Sequence, residues 1–301
     1  MSRTPHARQW RIQQLATTQA AERDVLRVLE QARRDIRLQL RGLDKDTISH
    51  RLRVQQIRHI QAIIAREQAR IWRDLGQIIR ARRLEAAARV ITLGAEFDTF
   101  LFRQIGGLHA SKSDIARLIA TEERTVASSM DRMMARVLGQ SYHPLSDKVY
   151  TSRAWIDGVL DRKVSSALAR GLSAREFAAE LSGYIDPLTP GGIRFASMRL
   201  ARSEINNAAH AVAINNSQGK PWISGMQWSL SASHPKPDEC DDLADGGVGG
   251  NGVYDVDKVP AKPHPQCFCI VTPVSVSDSQ FLTNLLGGYY DDYASQYLDA
   301  A

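Results

Sequence analysis

The chain has 301 residues, of which 43% are hydrophobic and 24% are charged, with a net charge of +6 at pH 7. This length allows one large or two modest domains with hydrophobic cores. No run of about eighteen apolar residues and no apolar signal core are visible, so the sequence predicts neither a membrane span nor an export signal. We therefore expect the product to stay in the cytosol where it is made.

Helical periodicity dominates the N-terminal third. Apolar residues recur at helical spacing over residues 10–40, and again from a cap at Asp46 or Thr47 through Leu84, reaching Phe102. Helices this long favour a helical hairpin or a coiled-coil-like partner seam, so we expect helix pairing or oligomerisation. A third helix is predicted over residues 113–138, with a boundary at residues 142–145.

Positive charge is concentrated in the same third. Residues 1–93 hold 20 Lys and Arg against 9 Asp and Glu, and arginine supplies nearly all of the excess. Arginine binds phosphate as a planar fork and stays charged in every setting, which favours contact with nucleic acid. A solvated helix surface would have much the same composition. The candidate phosphate-binding residues are Arg33, Arg34, Arg37, Arg41, Arg80, Arg82 and Arg83.

Helices separated by short breaks follow. One is predicted over residues 152–170, and Ser173 with Glu176 forms a capping box that starts a short helix to Leu181. A turn-rich linker over residues 186–192 precedes a helix over residues 194–216. That helix carries Glu204 and His210, which an enzyme would use as a general base. We favour a structural role, with the apolar side on a sheet and polar groups fixing nearby loops, because no nucleophile or phosphate loop accompanies them.

Short strands are expected near the C-terminus. The alternation over residues 225–230 predicts one strand, and residues 268–272 predict a second, ended by Pro273. The glycine run at residues 246–252 lacks the Gly-Lys-Ser/Thr ending of a phosphate loop, so we interpret it as a mobile excursion. The acidic, aromatic tail is either a docking segment or a last amphipathic helix.

All three cysteines lie within residues 228–273, which suggests that they act together. The candidate metal ligands are Cys240, His264, Cys267 and Cys269, with His234 as an alternative to His264, and the cofactor would be a structural zinc ion. Cys267 and Cys269 are only two apart, a tighter spacing than the usual C-x2-4-C knuckle, so both can bind one ion only if the backbone turns there. The alternatives are buried reduced thiols or a disulfide from Cys240 to either other cysteine.

The same side chains permit a different function. His234, Asp238, Asp241 and His264 could hold a catalytic metal with an open position, which would make the protein a metal-dependent hydrolase or nuclease. Their spacing permits this chemistry without favouring it.

The order of motifs over residues 165–275 resembles one viral family. An Arg-Ser-Glu-rich helix over residues 199–210 precedes Gly225-Met-Gln-Trp, then His234-Pro-Lys-Pro-Asp-x-Cys-Asp, then Pro263-His-Pro-x-Cys-x-Cys. This order is similar to the phage head morphogenesis domain of the Mu F-like minor capsid proteins. Many members carry a second cysteine shortly after the first, where this chain has Asp241 and Asp242. That departure weakens a zinc assignment taken from the family.

The resemblance implies a non-enzymatic minor capsid protein of a tailed phage. Its partners would be the portal protein, other procapsid proteins and packaged double-stranded DNA, and its location would be the virion after assembly in the host cytoplasm. We expect a mainly α, α+β fold in four segments. These are a basic helical arm (1–140), a helical connector (141–190), the family module (191–275) and an acidic aromatic tail (276–301).

Overall fold

A computed structural model describes residues 4–40, 50–105, 145–185, 192–231, 234 and 237–290. The predicted fold class is confirmed: long N-terminal helices precede a small antiparallel sheet on the C-terminal side, giving a mainly α, α+β protein. Several predicted features lie outside the described residues. These are the third helix at 113–138, the caps at Asp46 and Thr47, residues 142–144, most of the linker at 186–192, and residues 291–301.

Long helices make up most of the described chain. Their bounds are α1 (Thr4–Leu40), α2 (His50–Phe100), α3 (Leu145–Ala169), α4 (Ala174–Ile185), α5 (Ile193–Ser217), α6 (Glu239–Asp245) and α7 (Asp278–Leu286). One π-helical turn, Leu101–Ile105, continues α2. The predicted capping box of α4 is confirmed, because the Ser173 N–H donates to Glu176 Oε2 at 2.7 Å and the Glu176 N–H donates to Ser173 Oγ at 3.2 Å. Among the described residues, no helix is both long and apolar enough to cross a membrane.

Two compact units divide the chain. We call Met1–Thr18, Arg82–Tyr142 and Ser203–Ala301 the sheet unit, and Gln19–Ala81 with His143–Arg202 the helical unit. The four consecutive segments expected from the sequence do not coincide with these units, because α1, α2 and α5 are long enough to contribute residues to both.

Antiparallel pairing of α1 and α2 organises the helical unit. Arg70 Nη2 donates to Asp35 Oδ2 at 2.6 Å, and Gln39 Nε2 donates to Glu67 Oε1 at 3.3 Å, so later residues of α1 meet earlier residues of α2. Beneath these contacts lies a core from α1, α2 and α5, and a second core from α2, α3 and α4. Members of the two cores include Val25, Leu29, Trp72, Leu75, Ile193, Ile57, Ile60, Leu160 and Phe177.

A three-stranded sheet characterises the sheet unit. Its strands are β1 (Ile223–Ser229), β2 (Val253–Tyr254) and β3 (Ile270–Ser275), in the order β2-β1-β3, with both pairings antiparallel. The expectation that Pro273 ends the last strand is wrong, since β3 runs through Pro273, which lies opposite Met226. Proline is tolerated there because β3 is an edge strand and needs no ladder donor on its outer side.

The glycine run is ordered, which corrects the expectation of a mobile excursion. The Gly252 N–H donates to the Gly246 carbonyl at 2.8 Å, and the Val248 N–H donates to the Val253 carbonyl at 2.6 Å. Gly247 has φ 77°, and a Cβ there would lie 2.1 Å from the Val253 oxygen. Glycine therefore serves close backbone approach in the turn that leads into β2.

A buried ion pair joins the end of α2 to the start of β1 in the sheet unit. Lys220 Nζ donates to Asp98 Oδ2 at 2.7 Å, and Trp222 Nε1 donates to Asp98 Oδ1 at 2.7 Å. The indole also packs into an aromatic cluster with Phe97, Leu101, Phe281 and Tyr290. Because Phe281 belongs to α7, residues 278–286 of the predicted tail form a helix that packs one side on this core, as expected of a last amphipathic helix.

A pair of glycine substitutions tests the turn. Gly252 has φ 72°, and an added Cβ would lie 2.5 Å from the Ala244 oxygen, whereas Gly219 has φ 76° with nothing within 4 Å. We expect Gly219→Ala to lower the free energy of unfolding by about 1 kcal/mol, the cost of the left-handed backbone. Gly252→Ala should lower it at least about twice as much because steric overlap is added. Urea unfolding measures both, and equal losses would contradict the packing described for the turn.

Candidate metal centre

Cys240 is positioned by the first turn of α6. Asp238 caps this helix, accepting from the Cys240 N–H at 2.7 Å, while the Asp241 carboxylate accepts from the Asp238 N–H at 2.7 Å. The two bonds form a reciprocal capping box that satisfies free donors at the helix start. The Cys240 side chain is fully buried as a result.

A turn at residues 264–266 brings in the other two cysteines. Gln266 has φ 62°, which is uncommon for a residue with a side chain, and its N–H donates to Ser203 Oγ at 3.0 Å. Cys267 and Cys269 follow this turn and precede β3. Residues two apart in an extended chain face the same side, so this spacing allows both thiols to face one centre. Both thiols are buried.

Three of the predicted ligands converge: the ligand atoms of Cys240, His264 and Cys267 all lie within 4.8 Å of one another, and Cys269 is not part of this group. Cys240 Sγ lies 3.5 Å from Cys267 Sγ and 3.2 Å from His264 Nε2. A disulfide bond is about 2.05 Å long, and all three cysteines are free thiols in this structure. In a tetrahedral zinc site the corresponding S–S and S–N separations are about 3.8 and 3.6 Å, from the usual bond lengths. The observed spacing is within about half an ångström of these values.

His264 is oriented as a metal ligand would be. Its Nδ1 lies 3.1 Å from the Pro265 carbonyl, which can only accept, so an Nδ1–H donates there while Nε2 faces Cys240 Sγ at 3.2 Å. That nitrogen also faces Asp238 Oδ2 at 3.2 Å. Nitrogen, sulfur and carboxylate lone pairs therefore point toward one another, an arrangement that needs a proton or a cation between them. A carbonyl partner behind the ring is the usual second shell of a zinc-bound histidine.

Lys262 places a positive charge beside the thiols. Its ammonium donates to the carbonyls of Cys267, at 3.3 Å, and Cys269, and it lies 4.0 Å from Cys267 Sγ. Burial lowers the pKa of Lys262, and the neighbouring thiols act in the opposite direction. Hydrogen bonding from Cys269 lowers the pKa of Cys267 to about 5, and Lys262 adds to this effect. The environment thus favours at least one thiolate, the form that binds metal.

His234 belongs to a separate group. Its Nε2 lies 2.8 Å from Asp241 Oδ2 and 3.7 Å from Asp238 Oδ1. The hydrogen bond to Asp241 raises the pKa of His234. The pKa of Asp241 is lowered, mainly by the hydrogen bond from the Asp238 N–H and next by the bond with His234. Asp241 is thus engaged by the helix cap and His234. The structure brings His264, and not His234, against Cys240.

Three polar residues of α5 are buried: Glu204 and Asn206 are 0% exposed and His210 is 3% exposed. Asn206 Oδ1 accepts from Gln14 Nε2 at 2.8 Å, and His210 Nε2 donates to the Pro260 carbonyl at 2.9 Å. The expectation of one apolar side on the sheet, with polar groups fixing loops, is therefore too simple. Within the sheet unit, the polar residues of α5 contact α1 as well as the loop before the cysteines.

The candidate phosphate-binding arginines have different surroundings. Arg80 is exposed, Arg33 is half-buried, and exposed Arg34 donates to Gln31. Arg82 is paired with Glu85 at 2.5 Å. Arg83 requires a correction, since it is only 3% exposed and lies 3.9 Å from Glu204, where it cannot reach a phosphate. The side chain of Arg37 and the whole of Arg41 lie outside the part of the chain that is described.

Two contributors to the site were missed from the sequence. Lys262 lies in a proline-rich loop with no periodic signal, although its place five residues before Cys267 could have marked it. Ser203 lies 63 residues from its partner Gln266, and only the fold brings them together.

Comparisons with protein-family models, with curated proteins and with solved structures find no match for this chain. The case for a function therefore rests on its residues, their order and their geometry.

His210 makes stability depend on pH. Burial lowers the pKa of His210 to about 3, with Lys262 acting in the same direction, against an ordinary value of 6.5. The unfolded chain therefore binds a proton below pH 6.5 that the folded chain does not. The stabilisation that comes from keeping His210 neutral is complete above pH 6.5. As pH falls from 6.5 toward 3, the free energy of unfolding decreases by up to about 1.4 kcal/mol per pH unit.

We expect His210→Gln, which keeps a donor for the Pro260 carbonyl, to flatten the fall in unfolding free energy between pH 6.5 and 4. Urea unfolding across this range measures it, and exposed His59→Gln is the control that should retain the wild-type slope. An unchanged slope in His210→Gln would contradict the assignment.

Proposed function

We propose that this chain is a non-enzymatic head-assembly protein of a tailed phage. In this role it is a minor capsid component that binds the portal, other procapsid proteins and packaged DNA, in the host cytoplasm during assembly and then in the virion. One observation carries the proposal. Most of the residues that carry the resemblance to the Mu F-like family lie within residues 203–269, and residues from separate motifs in this range contact one another within the sheet unit.

Contacts between the motifs make this convergence specific. Ser203, from the Arg-Ser-Glu motif, accepts from the Gln266 N–H within Pro-His-Pro-x-Cys. His210 packs edge-on against Trp228 of the Gly-Met-Gln-Trp motif, with ring centroids 5.7 Å apart. Cys240 meets Cys267 and His264. Motif residues that meet across such separations support a shared fold with the family more strongly than their order alone.

A structural zinc ion is part of the proposal. Cys240, Cys267, Cys269 and His264 would hold it, and the ion would supply a crosslink between α6 and the chain that enters β3. Three thiolates and a neutral imidazole around Zn²⁺ leave a net charge of −1, which Lys262 would neutralise. The ligand atoms that converge in the structure are those of Cys240, His264 and Cys267, and Cys269 would have to complete the shell. With that fourth ligand the shell would be closed and leave no position for substrate, which suits a scaffold and not a catalyst.

A second candidate function remains, a metal-dependent hydrolase or nuclease. The observation in its favour is that His234, Asp238 and Asp241 gather beside the thiols and are not fully buried. Asp238 faces His234 with one oxygen, at 3.7 Å, and His264 with the other, at 3.2 Å. The helix cap already explains both aspartates, so we rank this function second. Metal-dependent DNA cleavage that is lost in His264→Ala would favour it.

Two histidine variants test the zinc site. We expect purified wild-type protein to contain about one zinc per chain by elemental analysis. His264→Ala should lose most of the zinc, and His234→Ala should retain it, because His264 Nε2 lies 3.2 Å from Cys240 Sγ while His234 is bound to Asp241. Loss of zinc from His234→Ala and not from His264→Ala would instead identify His234 as the histidine ligand. Wild-type protein without metal would rule out the zinc proposal.

Particle composition tests the assembly role. We expect an antibody against this chain to detect it in purified particles from the producing host, at a fixed ratio to the portal protein and at far fewer copies than the major capsid protein. Quantitative mass spectrometry gives that ratio. Complete absence from both procapsids and mature particles, in cells that express the chain, would exclude a capsid component.

A further inference from the structure

Four exposed arginines form a ridge along α2. Arg58, Arg66, Arg73 and Arg80 are all exposed and follow one another at spacings of eight, seven and seven residues. At 100° per residue they fall within a sector of about 80°, and at 1.5 Å per residue they extend over about 33 Å. We call these four residues the arginine ridge.

The ridge faces away from the core of the helical unit. The opposite side of the same helix carries Ile57, Ile60, Ile64, Ile71 and Leu75, all of them buried. Between the arginines this side of the helix carries small residues, among them exposed Ala62 and half-buried Ala69 and Gly76. The guanidinium groups therefore stand above a low surface that an extended polymer can approach.

The ridge is not compensated by carboxylates. Among the described residues, none of its four arginines has an ion-pair partner, in contrast to Arg27 with Asp24, Arg89 with Glu85 and Arg170 with Glu180. The acidic residues of this stretch, Glu67 and Asp74, lie on the flank of α2, about 100° from the ridge, and Glu67 is paired with Arg70. A helix surface that is merely solvated commonly mixes the two signs of charge.

The wider charge distribution has the same sign. By sequence, the segments of the helical unit hold 23 Lys and Arg against 14 Asp and Glu, a net charge of +9. The segments of the sheet unit hold 16 against 19, a net charge of −3. Attraction for a polyanion is therefore concentrated in the unit that carries the ridge.

We propose that the arginine ridge binds the phosphate backbone of double-stranded DNA. This inference rests on the proposed head-assembly function and specifies the surface of the protein that contacts DNA. Its length of about 33 Å is close to one turn of the duplex. No Phe, Tyr, Trp or large aliphatic side chain of α2 is exposed between Arg58 and Arg80, so the ridge lacks the large stacking surface of single-strand binders and the apolar anchors of protein interfaces.

The test compares two full-length variants with equal loss of charge. Arg66→Gln/Arg73→Gln/Arg80→Gln removes three ridge charges, and Arg27→Gln/Arg89→Gln/Arg170→Gln removes three charges that carboxylates already compensate. Binding to a random-sequence duplex of about three helical turns is measured by fluorescence anisotropy over a salt series. Circular dichroism establishes that both variants are folded.

We expect the ridge variant to lose at least about tenfold in affinity and to reduce the slope of log K against log salt by about 2.7, since each phosphate contact contributes about 0.9. The control variant should change the slope by less than about 1. Equal affinity and slope in the ridge variant and the wild type would show that the ridge does not bind DNA. Any DNA binding would then be assigned to another part of the chain.

Other outcomes separate the ridge from the broader function. One such outcome is wild-type protein that is found in particles but shows no salt-dependent DNA binding. That result would exclude DNA as a partner, and the ridge as its binding surface, without contradicting the assembly role. A ridge variant that binds DNA normally but is missing from particles would identify an acidic protein as the partner, which also overturns the proposal.

Discussion

The burial of polar side chains on α5 is the constraint on which the sheet unit depends. Asn206 and His210 lie in the core, where an unsatisfied buried polar group costs about 1–3 kcal/mol. Among the described residues, Asn206 Nδ2 and His210 Nδ1 have no hydrogen-bond partner, whereas Asn206 Oδ1 and His210 Nε2 do. Their partners come from different elements: Gln14 on α1 and the carbonyl of Pro260 in the loop before the cysteines. A helix with one apolar face could slide against its neighbours. These directional bonds give each neighbour a single position along α5.

The cysteine cluster follows from that arrangement. His210 holds Pro260 and Ser203 holds Gln266, so both ends of the intervening loop are tied to α5. The chain leaves this loop at Cys267, where the capped start of α6 presents Cys240 at 3.5 Å. A metal bound there would join elements that hydrogen bonds already bring together. Its expected contribution is therefore stability of the module, which is consistent with a scaffold whose ligands are almost all buried.

Features governed by neighbouring residues could be predicted from the sequence, and those governed by distant contacts could not. The capping box of α4 and the long helices follow from local bonding and periodicity. The cysteines and His264 were identifiable by residue type. The ordered turn at Gly252 and the passage of β3 through Pro273 depend on pairing with β1, which no local pattern reveals. Lys262 is significant only because the fold brings thiols against it.

Arginine shows why composition alone left nucleic-acid binding undecided. Arg83 is buried against Glu204, and Arg89 is paired with Glu85. Among the described residues, the arginines of the ridge on α2 have no ion-pair partner. Helical phase explains the difference, because residues about seven apart share one face while the acidic residues of that stretch fall on another. A net positive charge is thus a weak argument for a polyanionic partner. A continuous row of exposed, uncompensated guanidinium groups is a stronger one, because the attraction that intramolecular carboxylates would otherwise satisfy is left for a ligand.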